Sequence, residues 1–114
     1  MPVDCLFCRM ASGEIAVTKL HEDDLVFAIR DINPQAPSHV LLMPVEHIDS
    51  AADLTDAHGP LLGRLFSVAA RIAAQDGLDG GWRLVSNVGP DAGQSVRHLH
   101  VHLLGGRSMA WPPG

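Results

Sequence analysis

The longest regular pattern of apolar positions runs from Leu61 to Ala73. Leu61, Leu65, Val68 and Ile72 form one row, and Leu62, Phe66, Ala69 and Ala73 form the row beside it. Steps of three and four residues are the signature of a helix with one wide apolar stripe, which is expected to pack on the core. Thr55 or Asp56 can cap its start, Pro60 can open its first turn, and Gly77 ends it. Elsewhere the pattern has the shorter period of strands. Val17–His21 and Leu25–Asp31 read as strands joined by a turn at Glu22-Asp23-Asp24. Residues 32–37 read as a loop, because Pro34 and Pro37 deny it a regular ladder. His39–Met43 follows as a strand closed by Pro44. Trp82–Asn87 and His98–Leu104 are two more strands, separated by a loop over 88–96. Residues 5–12 form a short helix ended by Gly13, and the tail Trp111-Pro112-Pro113-Gly114 is extended. Successive strands with short turns and one long helix predict the α+β class: an antiparallel meander sheet covered by that helix.

The last strand carries the chemistry. Side chains alternate along a strand, so His98, His100 and His102 share one face at ~7 Å intervals, and Leu99, Val101 and Leu103 share the other. The apolar set has an obvious partner in the 61–73 helix. The histidines do not, because each imidazole brings a donor and an acceptor that need partners. A merely solvated face would be built more simply from Lys, Glu or Thr. Two functional readings remain beside that one. The three imidazoles could converge on a metal ion, or one could attack while its neighbours orient it and bind an anion. A neutral imidazole is a good nucleophile near pH 7, and its phosphoryl adduct is labile. The preceding loop, Gly89-Pro90-Asp91-Ala92-Gly93-Gln94-Ser95, favours the second reading. Glycines let backbone N–H groups approach an anion closely and cradle a phosphate.

Bulk properties narrow the partners. The chain has 114 residues, 46% apolar and 18% charged, which suits one globular domain over 1–114. The net charge is −5 with no basic stripe, so neither nucleic acid nor an anionic membrane is an expected partner. The N-terminus shows no basic stretch followed by an apolar one, and no apolar run approaches the ~20 residues of a spanning helix. A cytoplasmic protein is expected. Cys5 and Cys8 are the only thiols, and in a reducing compartment such a pair points to a metal or redox site.

The segment His98-Leu99-His100-Val101-His102-Leu103-Leu104 fits the pattern His-φ-His-φ-His-φ-φ, with φ apolar. The chain resembles the histidine triad (HIT) superfamily, and specifically its Hint branch. Asp31-Ile32-Asn33-Pro34-Gln35-Ala36-Pro37-Ser38-His39, Gly93-Gln94-Ser95-Val96, Leu104-Gly105-Gly106-Arg107 and the Trp111-Pro112-Pro113-Gly114 ending carry the likeness beyond the triad. The resemblance implies a hydrolase of purine nucleoside 5′-phosphoramidates. His100 would attack the α-phosphorus and displace an amine, and water would then release the nucleoside monophosphate, such as AMP. The second ring nitrogen of His100 is expected to donate to a backbone carbonyl of its own strand. His102 would contact the phosphate oxygens. Ser95, Gln94 and Gly93 would surround the phosphate and leaving group, and Asn87 would add a phosphate contact. Asp31 would bind the ribose, and Phe7, Ile29 and Ile32 would line the base pocket. A homodimer is implied, with Trp111 of one subunit approaching the other's site. His39 is expected near the triad, His21 and His58 on the surface, and Trp82 in packing.

Cys5-Leu6-Phe7-Cys8 has the spacing of a zinc knuckle, and a structural zinc needs two further ligands. Some proteins close to this branch are similar, with two such cysteines and histidines of the types of His47 and His98. The expectation is a Cys₂His₂ structural zinc and no organic cofactor. His98 would then hold His100 in place, alongside the catalytic His102 and Ser95. Free thiols and a redox pair stay open, although no thioredoxin-like pattern surrounds the cysteines. A dinucleoside polyphosphate hydrolase, a nucleotide-binding adaptor with vestigial activity and a metallohydrolase using the three strand histidines are the competing functions.

Overall fold

The computed structural model describes residues 4–114, so Met1, Pro2 and Val3, where a leader would begin, lie outside the described residues. A short helix α1 (Leu6–Ser12) leads into strands β1 (Lys19–Glu22), β2 (Val26–Arg30) and β3 (Ser38–Pro44). The long helix α2 (Gly59–Gln75) follows, then β4 (Trp82–Val85) and β5 (Val101–Gly105). The five strands form one sheet in the order β1-β2-β3-β5-β4, antiparallel at every pairing. The expected α+β class and helix-covered antiparallel sheet are what the chain forms.

The sheet is buried on both faces at its centre. Val26, Ala28, Val40, Leu42, Leu99, Val101 and Leu103 pack against Leu61, Leu65, Val68, Ala69, Ile72 and Ala73 of α2. Phe27, Ile29, Leu41 and Met43 point the other way and meet Cys5, Phe7 and Cys8 of the N-terminal segment. All seven residues of β3 are buried, which is why its run from Val40 to Pro44 is continuously apolar rather than alternating. α2 begins one turn after Thr55, whose side chain and that of His58 cap a single 3-10 turn reciprocally. Gly77 follows its last turn at φ 69°. At the close of β5, Gly106 has φ 91° and stands against Pro37, where an added Cβ would lie 2.9 Å from the proline ring. Both the left-handed conformation and the close approach require glycine there.

The structure corrects several expected boundaries and burials. The final strand begins at Val101, not His98. Its register would set Leu99 opposite Pro44, which has no N–H to give the Leu99 carbonyl and whose own carbonyl accepts from His98 Nε2 (2.8 Å), and the Leu99 N–H bonds to the Ile48 carbonyl (2.6 Å). β4 ends at Val85, and the Ser86 hydroxyl then donates to the His100 carbonyl (3.4 Å). β1 starts at Lys19 and carries an irregularity between Lys19 and His21. Phe66 of the helix stripe is 56% exposed although Ala69 and Ala73 of the same row are buried, and Trp82 on edge strand β4 is 41% exposed. His21 and His58 are both half-buried and hydrogen-bonded, His21 to Asp23 and His58 within its cap. Among the described residues no helix is long and apolar enough to cross a membrane.

Candidate functional site

The histidines lie on the face of the sheet opposite α2. His98 and His100 are buried, while His102 is half-buried. Phe7 stands edge-on to the first two, with ring centroids 5.7 Å from His98 and 5.2 Å from His100. The His100 and His102 rings are 5.1 Å apart. His100 Nδ1 lies 2.7 Å from the carbonyl oxygen of His98. A carbonyl only accepts, so Nδ1 carries the proton and Nε2 is left with its lone pair.

His39 is brought to the triad from β3. The Gln35 N–H donates to His39 Nδ1 (3.0 Å), so the His39 proton is on Nε2. That Nε2 donates to His102 Nδ1 (2.9 Å), with Asp31 Oδ2 at 3.4 Å. His102 therefore keeps its own proton on Nε2. Burial, reinforced by the neighbouring His100 and His39 imidazoles, holds the His102 pKa below the ordinary imidazole value. The result is a neutral ring presenting one N–H donor.

A second cluster sits beside this one. Cys5 Sγ is 3.2 Å and Cys8 Sγ 3.6 Å from His98 Nδ1, and Cys8 Sγ is 3.4 Å from His47 Nδ1. All four donor atoms lie within 4.8 Å of one another. Tetrahedral zinc with ordinary bond lengths spaces its ligands about 3.3–3.8 Å apart, so the four fit it closely. The opposite ring nitrogens are also engaged as a ligated imidazole requires. His47 Nε2 donates to Asp49 Oδ1 (2.7 Å), and His98 Nε2 donates to the Pro44 carbonyl (2.8 Å). Burial, together with Cys5, pushes the Cys8 thiol up to about 11. A bound divalent cation reverses that preference, since it deprotonates a coordinating thiol.

The remaining expected residues divide into two groups. Phe7 and Ile29 are buried in the same apolar cluster, and Asp31 is half-buried next to His39. Asn87 is half-buried just beyond β4. Ile32 and Trp111 are exposed, the latter by 82%. Gln94 is occupied by its own loop: its Oε1 accepts the Gly89 N–H (2.9 Å), and its Nε2 donates to the carbonyls of Asp49 (2.8 Å) and Val96 (3.0 Å). Gly93 turns that loop at φ 86°. Ser95, with Val96 and Arg97, borders a hollow of about 400 Å³ shared with Asp4, Cys5, Leu6, His47 and Asp49. This hollow opens beside the cysteine–histidine cluster rather than over His100. Sequence reasoning missed Asp49. The signal was its spacing: two residues after His47 in an extended segment, it falls on the same side as the ligand.

The chain matches the HIT domain family over residues 12–109. It is 48% identical over 113 residues to a 14 kDa zinc-binding protein of Brassica juncea, covering 97% of this chain and all of that one. It is 47% identical over 111 residues to the adenylylsulfatase HINT1 of Arabidopsis thaliana, covering 96% of this chain and 76% of the relative. Among solved structures, a HIT family hydrolase from Legionella pneumophila superposes with a TM-score of 0.94 at 48% identity, covering 97% of this chain and all of that one. With the triad on its strand and these matches along nearly its whole length, the chain belongs to the histidine triad (HIT) domain family, in its Hint branch.

Proposed function

We propose that this protein is a nucleotide-binding hydrolase that cleaves purine nucleoside 5′-phosphoramidates through a nucleotidyl-histidine intermediate. The observation that carries this reading is the 2.7 Å contact between His100 Nδ1 and the His98 carbonyl, which leaves His100 Nε2 free to attack. In the first step Nε2 forms a bond to the α-phosphorus, and the phosphorus–nitrogen bond to the amine breaks. In the second, water attacks phosphorus and the bond to His100 breaks, releasing the nucleoside monophosphate. Over the two steps the hydroxyl of one water goes to phosphorus and its proton to the departing amine.

The other residues take supporting roles. His102 presents its Nε2–H to the phosphate oxygens, with His39 fixing that tautomer. Ser95, Gly93 and Asn87 complete the phosphate contacts, and Gln94 holds the loop that carries them. Asp31 receives the ribose hydroxyls, and Phe7, Ile29 and the exposed Ile32 bound the base. Cys5, Cys8, His47 and His98 hold zinc; the relatives named as zinc-binding proteins support this, and so does the spacing of the four donors. When bound, the ion supplies a cross-link between the N-terminal segment and the entry to β5, with no position left open for water. The active form is a cytoplasmic homodimer in which Trp111 of one subunit reaches the other's site, which agrees with the exposure of Trp111 here.

Intact-protein mass spectrometry during turnover of an adenosine 5′-phosphoramidate tests the mechanism. The wild type gains the mass of one adenylyl group, and His100→Ala gains none while still binding AMP. Retained turnover in that variant removes the assignment. A second reading comes from the relative named adenylylsulfatase. The same nucleophile would displace sulfate from adenosine 5′-phosphosulfate, and turnover of that compound in the same assay, faster than of the phosphoramidate, favours it.

A further inference from the structure

Three consecutive residues, His47, Ile48 and Asp49, touch three different parts of the site. His47 turns Nδ1 to Cys8 Sγ (3.4 Å), and the Ile48 carbonyl accepts the Leu99 N–H at the entry to the triad (2.6 Å). Asp49 faces both ways. Its carboxylate Oδ1 accepts from His47 Nε2 (2.7 Å), and its backbone carbonyl accepts from Gln94 Nε2 (2.8 Å). Gln94 in turn ties both ends of the phosphate loop, through Gly89 and Val96. That loop turns at Gly89 and Gly93, with φ 81° and 86°, and closes on itself through the N–H groups of Ala92 (3.3 Å) and Gln94 (3.1 Å), which donate to the Gly89 carbonyl, and of Gly93, which donates to the Pro90 carbonyl (3.0 Å). The Gln94 side chain adds a tie at each end of this turn, and the bond it makes outside the loop, the one that fixes the turn to the rest of the site, is to Asp49.

We propose that Asp49 is a positioning residue through which the Cys5/Cys8/His47/His98 cluster and the Gly89–Val96 loop act on one another, so that zinc and a nucleoside monophosphate each strengthen the other's binding. This rests on the zinc and nucleotide readings above. The physical basis is shared ordering. An ion that fixes His47 Nδ1 fixes the ring, the ring fixes the Asp49 carboxylate, and the Asp49 carbonyl then holds the loop in the form that receives phosphate. By linkage the effect is reciprocal, and a nucleotide that orders the loop must tighten zinc by the same factor.

The test measures zinc affinity of the full chain by competition with a coloured chelator, without nucleotide and with saturating AMP. The wild type is expected to bind zinc about fivefold or more tightly with AMP present. Gln94→Leu, which leaves the four ligands and Asp49 intact, is expected to bind zinc as the wild type does without AMP and to lose the AMP effect. Asp49→Ala is expected to weaken zinc about tenfold, as loss of a ligand's hydrogen-bond partner does, and to reduce the AMP effect as well. An AMP effect of full size in both variants would assign the coupling to His98, whose carbonyl holds His100, and would overturn the role of Asp49. Zinc and AMP that both bind the wild type without affecting each other overturn the proposal alone. Failure of either to bind overturns it together with the reading beneath it.

Discussion

His102 has Nδ1 engaged inside the protein, and its proton is left to Nε2. The donor from His39 decides which carries the proton, and the Gln35 N–H decides it for His39. A chain of two imidazoles and one backbone N–H thus fixes the sense of a hydrogen bond that a free histidine leaves open. Replacing His39 by Leu removes the donor to His102 Nδ1 and lets the ring reverse its tautomer. The expected loss in kcat/KM is about tenfold, the worth of one buried hydrogen bond of this kind. His39→Gln, which can still donate from its amide, is expected to recover part of it. Steady-state kinetics on both variants check this, and equal losses in the two would deny the hydrogen bond its part.

At the scale of elements, the end of α2 is tied to two strands through one carboxylate. Arg30 of β2 makes a two-pronged contact with Asp76, and the Ser38 hydroxyl of β3 donates to Asp76 Oδ2 (2.6 Å). The Arg30 hydrogen bond, with help from Ser38, holds the Asp76 pKa down to about 2. The folded value is below the unfolded one, so this contact stabilises above about pH 4 and is lost as pH falls toward 2. Arg30 is half exposed and the pair is screened by solvent, which reduces the contribution to about 1 kcal/mol. Asp76→Asn is expected to be less stable than the wild type by about that amount at pH 6, with the difference closing near pH 2, as denaturant titrations at both pH values will read. The hairpin of β1 and β2 is pinned to α2 in a comparable way. Burial would raise the Asp23 pKa, but His21, the N–H groups of Val26 and Leu25, and Arg64 outweigh it and hold the carboxyl well below its usual range.

At the scale of the molecule, two apolar clusters lie on opposite faces of one sheet, and the smaller includes both cysteines. The smaller face is where the N-terminal segment, the 47–49 segment and the entry to β5 meet. Zinc held there as proposed, by ligands that only the folded chain brings together, would contribute up to about 2.7 kcal/mol at a hundredfold excess over its Kd. Treatment with a strong chelator is expected to lower the melting temperature by several degrees, and Cys8→Ala is expected to melt at the chelated value with or without added zinc. Scanning calorimetry checks it, with light scattering on the same samples to read the mass of the proposed dimer. An unchanged melting temperature would separate the cysteine–histidine cluster from metal.

The elements and the common face of the three triad histidines were legible from the chain alone. Steps of three and four along 61–73 and steps of two along 98–104 are local consequences of helix and strand geometry, and local geometry is written in local sequence. Spacing also made Cys5 and Cys8 visible. Tertiary structure decided what depends on residues far apart in the chain. It set Pro44 across from Leu99, which shortened β5, and it put His39 on His102 and Asp49 between His47 and Gln94. It turned the Gln94 amide to the loop's own backbone, and it left Phe66 on α2 and Trp82 on edge strand β4 exposed. A hydrogen bond needs its two atoms within about 3 Å and correctly aimed, and that distance is a property of the packed chain, which periodicity does not encode.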